Sequence, residues 1–72
     1  MDIYEEYLKL SKQADILFNN DDFENAELKE TEAVNFRNKN FSKQDWEKLI
    51  AQSCSGRAKY EYTRMMKEKF PD

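Results

Sequence analysis

The stretch LFNNDDFENA, Leu17 to Ala26, decides the fold. Five of its ten residues are Asn or Asp. Such a segment reads either as an oxygen-rich metal loop or as the turn between two helices. A calcium loop needs oxygen ligands at its first, third and fifth positions, glycine at the sixth and glutamate at the twelfth. Counted from Asn20, Asn25 falls where glycine is required and Thr31 where glutamate is required. Counted from Asn19, Phe23 falls on the fifth position. The metal reading fails, and the turn reading accounts for each residue. Leu17 and Phe18 finish one apolar face, Asn19 and Asn20 turn the chain, Asp21 caps, and Phe23 and Ala26 begin the next face.

Working outward, nothing in the chain alternates as a strand does, and Gly and Pro occur once each. The expected fold is all-α, a small three- to four-helix bundle in a single domain, residues 1–72. The first helix is expected over 3–19, with Asp2 as N-cap and Glu5 three residues on. Its apolar face is Ile3, Tyr7, Leu10, Ala14, Leu17 and Phe18. The second is expected over 22–37, capped by Asp21. It carries Phe23, Ala26, Ala33 and Val34 on one face and Leu28 and Phe36 on the other. A middle helix touching two neighbours needs both faces, and a partner-binding stripe looks the same.

Ser42 is the expected cap of the third helix. Phe41 before it and Trp46 within it are spaced as a hydrophobic staple. Beyond Trp46 the apolar arc of Leu49, Ile50 and Cys54 gives way to that of Ala58, Tyr62, Met65 and Met66, rotated by about 100°. The shift falls at Ser53-Cys54-Ser55-Gly56, where helix propensity is weak. A kink or break is expected near Gly56, dividing this region into helices over 43–54 and 57–69. One continuous helix wrapping across two neighbours is the alternative.

Leu10, Ala14 and Leu17, then Phe23-Glu24-Asn25-Ala26, then Ala33 seven residues after Ala26, resemble a single tetratricopeptide-repeat hairpin over residues 10–38. The pattern departs from that repeat at Glu30 and at Asn38, where the repeat closes with proline. The resemblance implies an antiparallel helical hairpin and peptide binding. One such unit is not a solenoid, which needs about three.

Charge is unevenly spread. Residues 1–42 carry net −5 and residues 43–71 net +3, on a chain of net −3 overall. No run of apolar residues is long enough to span a membrane, and the acidic start MDIYEEYLKL does not read as a signal peptide. A cytoplasmic protein without a membrane partner is expected. Nine Lys against three Arg, with frequent Asn, is the usage of an A/T-rich coding sequence, as phages and other mobile elements often have.

Histidine is absent, which removes the commonest general base and metal ligand. One glycine cannot write a phosphate-binding loop. Cys54, on an apolar arc, reads as a buried structural cysteine. No catalytic residues, metal or cofactor are expected. The chain reads instead as a non-catalytic protein that binds another protein, as an adaptor or stoichiometric inhibitor or regulator. Tyr4, Leu28, Phe36, Tyr60 and Met66, off or near the edges of the principal arcs, are the expected anchors. A second reading is a nucleic-acid-associated regulator using Arg57, Tyr60, Arg64 and Lys67, spaced along the last helix to meet phosphates and stack a base. A third is a homo-oligomeric module in which acidic and basic surfaces meet.

Overall fold

The first helix, α1 (Ile3–Asn19), starts where Asp2 caps it. The Asp2 carboxylate accepts the Glu5 N–H at 3.2 Å. The computed structural model describes residues 2–71. It contains α1, α2 (Phe23–Asn40), α3 (Lys43–Gln52) and α4 (Gly56–Lys69), and no strand among the described residues. Over the described residues the fold is all-α, 84% helical, with four helices. They form two compact units, one reaching Asn40 and one beginning at Phe41.

In the first unit α1 packs on α2. Three residues join them, and the turn is a Schellman closure. The Asp22 N–H reaches the Leu17 carbonyl at 2.9 Å, and the Asp21 N–H reaches Phe18 at 3.1 Å. This closure requires a left-handed residue between them, and Asp21 takes that place at φ 62°. Asp21 was expected to cap the second helix. With Asp21 committed to the turn, capping passes one residue on to Asp22. The Asp22 carboxylate accepts the Asn25 N–H at a long 3.5 Å and the Asn25 side-chain amide at 2.9 Å. The helix accordingly starts at Phe23 rather than Asp22.

The α1–α2 seam is built on small residues. Ala14, Ala26 and Ala33 are buried together with Tyr4 and Tyr7, and small side chains let two helix backbones approach closely. Arg37 is also buried, with its guanidinium 5.9 Å from the centroid of the Tyr7 ring. Arg combines an apolar stem with a charge that the ring face attracts, so it can close a seam that an alanine would leave open. The pairing of Tyr7, early in α1, with Arg37, late in α2, makes the hairpin antiparallel. Its turn end is closed by Phe18 and Phe23, ring centroids 6.3 Å apart.

In the second unit Ser42 caps α3. It forms a full capping box with Asp45, the Ser42 hydroxyl accepting the Asp45 N–H at 3.2 Å and the Asp45 carboxylate accepting the Ser42 N–H at 3.1 Å. The staple forms as expected, with Phe41 edge-on to Trp46 at 5.4 Å. Trp46 is fully buried and Leu49 is buried. Across the unit Trp46 meets Tyr62 of α4, centroids 6.4 Å apart. The inward face of α4, namely Ala58, Tyr62, Met65 and Met66, is half-buried, and no α4 residue is fully buried.

Helices α3 and α4 are separate. The break lies at Ser53, Cys54 and Ser55, with Gly56 already the first residue of α4. Ser53 is extended, and its hydroxyl donates to the Leu49 carbonyl at 2.8 Å. The Ser55 hydroxyl accepts the Ala58 N–H at 3.4 Å and caps α4. Cys54, expected to be buried on a helical arc, falls in this connection and is exposed. Among the described residues no helix is long and apolar enough to cross a membrane.

Candidate functional site

Each helix turns a face away from its unit's core, and the candidate anchors divide according to those faces. Tyr4, expected at the surface, is 5% exposed and belongs to the core. The apolar residues of α1 form two adjacent stripes that share Tyr7 and Ala14. The buried stripe is the one containing Tyr4, while Ile3, Leu10 and Leu17 are half-buried. Phe36 and Met66 are half-buried at the margins of their cores. Leu28 and Tyr60 are open to solvent, at 64% and 68% exposure.

The residues of the nucleic-acid reading do come together. Taking 100° per residue, Arg57, Tyr60, Arg64 and Lys67 lie on the side of α4 opposite Ala58, Tyr62 and Met65, and all four are exposed. Tyr60, Thr63, Arg64, Lys67 and Glu68 line a shallow groove along that surface. Acids flank it. Arg57 pairs with Glu61 at 3.3 Å and Arg64 with Glu68 at 3.7 Å, both one turn on. These pairs are well exposed, so each adds a few tenths of a kcal/mol at most. Their effect is to hold the guanidinium groups along the helix. The net character of the surface stays basic, with Lys67 and an aromatic ring between the arginines.

The outer surface of α2 has the opposite character. Glu24, Glu27 and Glu32 are exposed there, with Leu28 at 64% exposure between Glu24 and Glu32, while Phe23, at 57% exposure, and Glu30 are exposed at the margin nearer Ala26. A second shallow groove is lined by Glu27, Glu30, Thr31 and Val34. The cation within this span, Lys29, is half-buried and meets Glu32 at 3.2 Å.

Phe23 was assigned to the core from its spacing with Ala26. As the first residue of α2 it lies past the end of α1, where it meets the Phe18 ring. Leu8 and Ile16 are likewise exposed, at 40% and 51%. The signal for them was present in the sequence, since both stand off the α1 face. Among the described residues no three His, Cys, Asp or Glu side chains are grouped to hold a metal ion. The Tyr4 phenol is raised above its ordinary value by burial and, secondarily, by Tyr7.

No family model, curated protein or solved structure matches this chain.

Proposed function

We propose that this chain is a small non-catalytic helical protein that acts by binding another protein. The role is that of an adaptor or a stoichiometric inhibitor or regulator of the kind that phages and other mobile elements encode. The observation that supports it is the exposure of Leu28 and Tyr60. Each stands among charged residues on the side of its helix turned away from its unit's core. An apolar side chain rimmed by polar ones is the usual make-up of an interface anchor. Burying Leu28 against a partner is worth about 1.5–3 kcal/mol, enough to matter in a surface this small. The grooves run along single helices rather than enclosing a set of reactive groups, which favours docking over catalysis.

The test uses the purified chain as bait in extract of the cell that encodes it. A Leu28→Ala/Tyr60→Ala bait should retain its helical circular dichroism and melting temperature while losing capture. A double variant that captures as well as the parent would overturn the reading.

The shared exposed face of Arg57, Tyr60, Arg64 and Lys67 favours nucleic-acid contact as the second reading. It predicts a DNA or RNA mobility shift at ~50 mM salt that falls steeply as salt rises. Replacing Arg57, Arg64 and Lys67 together should abolish the shift. No shift at low salt disposes of it.

A further inference from the structure

The two outer surfaces described above are complementary. On α2, taking 100° per residue, the exposed Leu28 shares its side of the helix with Glu24 and Glu32, with Glu27 at their flank, and the half-buried Lys29 pairs with Glu32. On α4, Arg57, Arg64 and Lys67 surround the exposed Tyr60. Each is a short helical strip, about 12 Å from Glu24 to Glu32 and about 15 Å from Arg57 to Lys67 at 1.5 Å per residue. Each has one large apolar side chain among charges whose balance is of one sign, acidic on α2 and basic on α4. We propose that the acidic outer surface of α2 docks on the basic outer surface of α4 of a second copy of this chain. The proposal specifies a partner for the protein-binding surfaces above and rests on that reading.

Three features favour a second copy. The chain itself supplies both halves of the contact at equal concentration. The complementarity includes the apolar anchors, so that Leu28 and Tyr60 are buried together inside a charged rim, the arrangement that excludes water from an interface centre. Glu61 and Glu68 flank the basic strip. They would repel a phosphate backbone, whereas a protein helix can present a neutral residue there, as α2 does with Asn25 and Thr31. The contact is heterologous, α2 to α4, so each chain offers one surface of each kind. It is also small, and the association is therefore weak and salt-sensitive.

The experiment is sedimentation velocity on the purified full chain, alone, at ~50 mM and ~0.5 M salt, at concentrations up to about 1 mM. Association should be visible at low salt and weaken at least about tenfold at high salt. Two charge-reversed chains then decide the geometry. One carries Glu24→Lys, Glu27→Lys and Glu32→Lys, and the other Arg57→Glu, Arg64→Glu and Lys67→Glu. Each alone should be monomeric, because its two surfaces now share a sign. An equimolar mixture should associate again. Lys and Glu have nearly equal helix propensity at these exposed positions. If either chain nevertheless loses helicity, Leu28→Ala and Tyr60→Ala provide the same test with every charge kept, each weakening association about tenfold.

A parent chain that remains monomeric at low salt overturns the proposal, and so does a mixture that fails to reassociate. Suppose such a monomer still captures a different protein through Leu28 and Tyr60. The protein-binding reading then stands and the second copy is wrong. If a monomer instead shifts nucleic acid through Arg57, Arg64 and Lys67, the α4 surface belongs to nucleic acid.

Discussion

At the scale of single residues, two positions carry a physical cost that can be measured. Asp21 occupies the left-handed region at φ 62°, where a side chain other than that of Gly loses about 1 kcal/mol. Asp21→Gly should therefore stabilise the chain by about 0.5–1 kcal/mol, read as a higher melting temperature. A drop in melting temperature would mean that the carboxylate does more than tolerate the turn. Tyr4 is the second. Its phenol is raised by burial, so the unfolded chain gives up the proton first. The contribution is complete below the ordinary tyrosine value of about 10 and is lost as pH rises from there through the raised folded value. Tyr4→Phe should lose less stability than the parent between about pH 9 and 11, followed by denaturant titration across that range. Equal losses would place the alkaline sensitivity elsewhere. Tyr4 also marks where residue-level reading failed. A period of 3.6 residues identifies an amphipathic helix but does not choose between two neighbouring stripes that share Tyr7 and Ala14. A rotation of one residue moved Tyr4 from margin to core and left Ile3 and Leu10 half-covered.

At the scale of elements, the sequence was most legible where a cap announced itself. Asp2, Ser42 and the Phe41–Trp46 staple took the places expected of them, because capping needs particular side chains at fixed offsets. Ends without such residues drifted. Helix α2 continues to Asn40 rather than stopping at Arg37, since Asn-Lys-Asn weakens a helix without breaking it. Its extension is held by the Asn40 side chain donating to the Phe36 carbonyl at 3.0 Å. The break between α3 and α4 was anticipated, but its cause is serine capping more than glycine flexibility. Gly56 has no positive φ, and a Cβ there would meet nothing within 4 Å. Gly56→Ala should therefore be neutral or stabilise by up to about 1 kcal/mol, while Ser55→Ala should cost about 1 kcal/mol through loss of the α4 cap. Chemical denaturation of the two variants checks both. The reverse order would return the break to the glycine.

At the scale of the whole molecule, the chain is two helical units, one with an acidic exposed face on α2 and the other with a basic exposed face on α4. The excess of acid before Phe41 and of base after Lys43 was plain in composition, and it survives as two exposed strips, on α2 and α4. Composition could not show which apolar residues the cores would leave outside. That depended on where each unit ran out of covering partners, as Phe23 does beyond the end of α1, and as Leu28 does on the far side of α2. Leu28 and Tyr60 are proposed to be exposed for binding. Hydroxyl-radical footprinting of the chain, in buffer and in extract of the cell that encodes it, tests this most directly. Oxidation of Leu28 and Tyr60 should fall in extract, with Trp46 low in both conditions because it is already buried. Oxidation of Leu28 and Tyr60 that is the same in extract as in buffer would contradict the claim.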